Sequence, residues 1–139
     1  PGVALRELLA ARAASYAAAD STLAARVYAA RTPLASTARA DIDRLVSAGV
    51  RYDGLRYDVR SVSVLTRTPD QAVLRAVVDT GAYVVRSASA PTGMDAAGGD
   101  AAARPATQGE PVTIVLRLEG GRWWLADIQA TPEQGMGGP

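Results

Sequence analysis

Neither histidine nor cysteine occurs in the 139 residues, which leaves carboxylates and tyrosyl hydroxyls as the groups able to move protons. Imidazole bases, thiol nucleophiles, disulfides and the usual zinc ligands are excluded together. Asp41-Ile42-Asp43 has the outline of a metal motif. Two positions flanking one helical residue diverge, however, and cannot share an ion without loop ligands; early in a helix they suit its dipole instead. The glycine pieces Ala97-Gly98-Gly99 and Gly135-Met136-Gly137-Gly138 have neither the following helix nor the lysine of a phosphate loop and read as linkers. No metal and no cofactor is expected. Trp123-Trp124 is the other conspicuous pair. Neighbours on a strand face opposite ways, so one indole is expected in the core and the other on the outer sheet surface. The outer one either anchors a partner protein or a second copy of the chain, or is covered by an arginine stem such as that of Arg117.

Fifteen basic residues, all of them arginine, against fourteen acidic ones leave a formal charge of +1. The field expected of a dedicated nucleic-acid binder is missing, and nucleic acid is not an expected partner. Hydrophobic residues make up 48% of the chain, enough for one domain with a real core. No apolar run approaches the roughly 20 residues that cross a bilayer.

The elements that would position any chemistry follow from periodicity. Leu5, Leu8, Leu9, Ala13 and Tyr16 recur at helical spacing over residues 3–19, with Arg6, Glu7 and Arg12 largely between them. Asp20 is placed to cap a second, shorter helix carrying Leu23, Val27 and Tyr28, which Pro33 stops. Ser36 or Thr37 caps a third, whose face is Ala38, Ile42, Leu45 and Val46, with Gly49 as a left-handed terminator. After the Asp53-Gly54 turn the period changes to two: Leu55, Tyr57 and Val59 alternate with charged residues, and the slip to Val62 and Val64 asks for a bulge near Arg60-Ser61. A long strand is expected over 72–86, bent at Gly81. Residues 88–109 lack large apolar groups and are expected to form a mobile loop. A hairpin over 111–129 turns at Gly120-Gly121, and the tail 131–139 is expected to fray. The expected core is Leu5, Leu9, Leu23, Val27, Ile42, Leu45, Val59, Val77, Ile114, Leu116 and Ile128.

Helices first, then a bent antiparallel sheet ending in a hairpin whose last strand carries the tryptophan pair: over residues 3–130 this order resembles the nuclear transport factor 2-like, or cystatin-like, α+β cone. The local runs Leu9-Ala10-Ala11-Arg12-Ala13, Ala19-Asp20, Val50-Arg51-Tyr52-Asp53-Gly54-Leu55-Arg56 and Trp123-Trp124-Leu125-Ala126-Asp127-Ile128 are more narrowly similar to exported domains of high-GC Gram-positive bacteria. The resemblance implies three helices packed on a strongly curved antiparallel sheet of about four strands. It also implies a cone in which enzymes of the superfamily keep a proton shuttle. Asp79 and Asp127, each late on a strand, are the carboxylates that could serve, with Tyr28 and Tyr83 as hydroxyl donors. In the alternative reading Asp79 pairs with Arg75 and Asp127 faces water or an arginine.

Two functions are therefore expected in competition. The first is a non-enzymatic extracytoplasmic binding or interaction domain that contacts a protein or its own copy through the sheet face. It would reach the membrane only through a tether upstream of Pro1. The second is a small isomerase-like or cyclase-like enzyme, or small-molecule binder, using a carboxylate in the cone. A filled cone favours the first, and a roomy cavity converging on Asp79 or Asp127 favours the second.

Overall fold

A computed structural model of the chain describes residues 1–89 and 102–130. Most of the expected mobile loop, 90–101, and the expected frayed tail, 131–139, lie outside the described residues. Helix α1 spans Gly2–Ala18 and buries Leu5, Leu8, Leu9, Ala13 and Tyr16, the stripe read from its spacing. It ends in a left-handed Ala19, and the Asp20 carboxylate accepts from the Thr22 amide at 2.8 Å to open α2, Ser21–Ala24.

Helix α2 is a single turn, shorter than the apolar spacing through Tyr28 suggests. The reason lies in tertiary pairing. Val27 and Ala29 exchange backbone hydrogen bonds with Leu125 at 2.8 Å each, so the segment runs parallel to the last strand at Tyr28. Pro33 does not stop a helix but opens one, α3, Pro33–Ala48, at a position whose amide would be unpaired anyway. The cap is Thr32 rather than Ser36 or Thr37: its hydroxyl accepts from the Ala35 amide at 3.2 Å and donates to the Ala29 carbonyl at 2.8 Å. Ala38, Ile42 and Leu45 form the buried face, while Val46 points out at 59% exposure. Gly49 terminates the helix at φ 70°, a conformation open to glycine without a Cβ penalty.

Among the described residues seven strands follow: β1 Val50–Asp53, β2 Tyr57–Thr68, β3 Gln71–Thr80, β4 Tyr83–Ser87, β5 Ala102–Arg104, β6 Thr107–Glu119 and β7 Arg122–Ala130. They make an α+β cone from two antiparallel sheets, one of four strands in the order β2-β3-β6-β7 and one of three in the order β1-β4-β5. The expected four-stranded sheet is present, and the smaller one is additional. The expected strand over 72–86 is divided at Gly81-Ala82, where the chain passes from one sheet to the other. Gly81 donates to the Arg56 carbonyl at 2.9 Å, and a Cβ there would lie 2.7 Å from Arg56 Cγ. Strand β5 and the start of β6 occupy residues read as loop, since β4 and β3 supply the backbone partners that local composition does not reveal. The register between β2 and β3 slips between Val59 and Ser61, as the alternation demanded, and again between Val64 and Thr66.

The core joins α1 and α3 to the inner face of the larger sheet, with Leu5, Val27, Ile42, Leu74, Ile114, Leu116 and Leu125 all below 2% exposure. Leu9 and Leu45 are buried with them, whereas Leu23, Val59 and Ile128 are only half-buried. On β3 the inner residues are Ala72, Leu74, Ala76 and Val78, so Val77, expected in the core, lies on the opposite face. The smaller sheet buries charge. Asp53 accepts from Arg86 Nε at 2.9 Å and lies 3.1 Å from Arg51 Nη1, with all three side chains below 10% exposure.

Candidate functional site

Between α1, α3 and the concave side of the sheets is a cavity of about 460 Å³, within the range of small-molecule sites. Its apolar part comes from Leu9 on α1, Leu45 on α3, Leu55, and Val78, Val112 and Ile114 on the sheet. Its polar part is mostly phenolic: Tyr16 from α1, Tyr52 from β1, Tyr57 from β2 and Tyr83 from β4. Tyr16 stacks on Tyr52 with centroids 5.9 Å apart, and Tyr52 meets Tyr83 at 4.9 Å and a 44° tilt. These rings hang on four different elements, which fixes their mutual placement through packing.

Arg12 also lines the cavity. Its Nη1 donates to the Tyr28 hydroxyl at 2.7 Å, and its guanidinium stands 5.3 Å from the Tyr16 ring centre and 5.7 Å from that of Tyr28, cation–π range in both cases. Burial alone would pull its pKa down, but the phenols of Tyr28, Tyr57 and Tyr16 outweigh burial and the net displacement is upward. The group is therefore held as a cation among aromatic rings. Asp41 lies at the same cavity, where it accepts from Tyr16 Oη at 3.4 Å and pairs with Arg44 one helical turn on. Glu110, an exposed residue of β6, completes the charged lining.

Burial raises the pKa of Tyr16 above the ordinary value of 10, with Arg12 opposing it, and burial does the same for Tyr28 against the same opposition. Tyr83 is raised as well, by burial and then by Tyr52. A phenol whose folded pKa exceeds its unfolded one stabilises the fold below pH 10 and loses that contribution as pH climbs through the folded value. The melting temperature is expected to hold up to about pH 10 and fall beyond it. Tyr16→Phe should flatten that fall, as read by thermal denaturation between pH 8 and 12; an unchanged slope would contradict the assignment.

The residues expected to act in the cone divide sharply. Tyr83 lines the cavity, and Tyr28 adjoins it through Arg12. Asp79 and Asp127 do not line it. Asp79 follows the inward Val78 on β3 and faces outward, accepting from the Gly109 amide at 2.7 Å with Arg60 Nη1 at 3.6 Å; its arginine is Arg60 and not Arg75. Asp127 sits opposite Val115 on the outer side and accepts from Gln129 Nε2 at 2.9 Å. Neither tryptophan is buried in the core. Trp123 packs at its margin under Arg67, 4.7 Å from the ring centre, and Trp124 faces the other way. The arginine covering Trp124 is Arg122, at 4.0 Å, while Arg117, its cross-strand neighbour, reaches Glu119 at 3.6 Å. Trp124 also donates its indole N–H to the Glu119 carbonyl at 3.3 Å.

Arg12, Tyr16, Asp41, Tyr52 and Tyr57 were not singled out as site residues by sequence reasoning. A signal for Arg12 existed: it is three residues after Leu9 and four before Tyr16, a phase that puts it on the buried stripe. Reading it as one of the polar residues between apolar positions obscured this.

No protein-family model matches the chain, and no curated protein matches it in sequence. Among solved structures, the intermembrane space region of the chloroplast protein ARC6 is similar over 94% of this chain and 98% of its own, with a TM-score of 0.61 and 9% identity. The structure of Aln2 from a Streptomyces species is similar over 93% of this chain and 89% of its own, with a TM-score of 0.52 and 15% identity. At these identities the chain shares a fold with both.

Proposed function

We propose that this chain is a non-enzymatic binding domain of the nuclear transport factor 2-like superfamily that holds a small molecule with an apolar body inside its cone. The observation that carries the reading is the cavity itself: about 460 Å³, floored by leucine, valine and isoleucine and walled by four tyrosines. Tyrosine supplies large contact area at low entropic cost together with a hydroxyl for orientation. An acid-base enzyme draws less support. Asp79 and Asp127 lie outside the cavity, and Asp41 within it is already held by Arg44 and Tyr16. Contact with a protein through the sheet face also draws less support, because Arg122 and the Glu119 carbonyl occupy Trp124.

Binding of 2-naphthol tests this. One saturable site is expected on the wild-type protein, with a rise in melting temperature that grows with ligand concentration, and Thr80→Trp, which fills the cavity from its wall, should abolish it. No saturable binding, or equal binding by the variant, would refute the reading. A location outside the cytoplasm is inferred with it, supported by the shared fold with a domain of a chloroplast intermembrane space. Protease accessibility of the full-length protein in intact cells tests that inference, and protection until lysis would overturn it.

A further inference from the structure

We infer that the ligand of this cavity is an anion, a carboxylate on an apolar or aromatic body, and that Arg12 is the residue that recognises it. The inference rests on the small-molecule reading above and adds the ligand's chemical class. Arg12 is the cation at this cavity without an acidic counterpart: among the described residues no carboxylate is ion-paired with its guanidinium. The other charges are accounted for differently. Asp41 and Arg44 neutralise each other on α3, and Glu110 is exposed to solvent.

A guanidinium carries five N–H donors in a planar fork; the Tyr28 hydroxyl takes one and Tyr57 is hydrogen-bonded to it as well, which leaves donors over. Stripped of part of its water and resting on phenol rings, such a group is poised for a planar acceptor that takes two parallel hydrogen bonds, the geometry of a carboxylate. The apolar floor of Leu9, Leu45, Val78 and Ile114 then receives the rest of the molecule.

The competing ligand is a cation. A cluster of tyrosines beside acidic groups suits quaternary or primary amines in many sites. Here Arg12 already stands over the ring of Tyr16 and that of Tyr28, so an amine would be repelled by a fixed positive charge in a medium that screens poorly. The two ligand classes therefore give opposite results on the same protein.

The test compares 2-naphthoate, its neutral isostere 2-naphthamide, and 2-naphthylmethylamine by calorimetry at pH 7.5. Wild-type protein should bind the carboxylate at least tenfold more tightly than the amide and the amine most weakly. Arg12→Gln should erase the preference for the carboxylate, bringing its affinity to that of the amide. Arg12→Lys, which keeps the charge and loses the fork, should retain only a few-fold preference. Equal binding of carboxylate and amide by the wild type, tightest binding of the amine, or a preference that survives in Arg12→Gln would each overturn the inference and leave the small-molecule reading standing. Should none of the probes bind, 2-naphthol included, both fail. The wild-type ratio of carboxylate to amide needs no variant, so a poorly folding Arg12→Gln does not blunt the test.

Discussion

Replacing Asp53 with alanine is expected to cost about 3–5 kcal/mol, the range for removing one partner of a buried ion pair. Asp53 accepts from Arg86 Nε and lies beside Arg51 Nη1, and all three residues are buried where β1 meets β4. Arg51 and Arg86 are paired directly across the two strands, so removing the carboxylate takes away a counter-charge that two buried guanidiniums share. A domain with a total stability on the order of 5–15 kcal/mol would lose a large share of it. Urea denaturation at pH 7 reads the effect, and a loss below about 1 kcal/mol would show that water or a rearranged strand takes over the charge. The cavity should report the same damage. Tyr52 follows Arg51 on β1 and Tyr83 opens β4, so loosening this pair displaces two of the four tyrosines that wall the site. Asp53→Asn, which keeps an acceptor oxygen but no charge, should fall between the wild type and the alanine variant.

Ile114→Ala should destabilise the fold by about 2–5 kcal/mol, and Val77→Ala by less than about 1 kcal/mol. Ile114 lies on β6, an interior strand of the larger sheet, with no exposed surface, and faces Leu74 on one side and Ile128 on the other. Its truncation removes buried apolar surface from the core and enlarges the cavity that Ile114 lines, so lost transfer energy and lost packing both count against the fold. Val77 sits on the other face of the adjacent strand, half-buried among neighbours in its own sheet. Paired denaturation curves give the difference, and equal losses would mean that the face assignment on β3 is wrong.

That face was the hardest thing to read on β3. Val77 shares its face with Gln71, Arg75 and Asp79, a polarity that points outward, but the two valines on that face blur the contrast with Leu74, Ala76 and Val78. Where local chemistry was decisive, the reading held. Gly49 terminates α3, the slip beside Arg60 is a bulge, and Gly120-Gly121 closes the β6-β7 hairpin with both residues at positive φ. Strand β1 went unread for a physical reason: it buries Arg51 and Asp53 and half-exposes Val50 and Tyr52, the reverse of the usual hydrophobic pattern. Likewise Pro33 serves a stop or a start equally well, and only the pairing of Val27 and Ala29 with Leu125 decides which. At the site, Tyr28 and Tyr83 are legible as hydroxyls near the cone, whereas the sequence places Arg12 among the residues between apolar positions and Asp41 among acids that suit a helix dipole. A charge becomes a site residue when distant elements close over it, and α1 and α3 do so here against strands as far along the chain as β7.

The short parallel pairing of residues 27–29 with β7 has a consequence for how molecules of this protein can associate. A sheet grows into a fibre only if each copy offers two open edges, one to accept a strand and one to be accepted. In the four-stranded sheet the outer side of β7 is hydrogen-bonded at Leu125 by Val27 and Ala29, whereas β2, at the other end of the strand order, has β3 as its strand partner among the described residues. The loop that holds Tyr28 beside Arg12 thus also blunts one edge of the sheet against strand addition at Leu125.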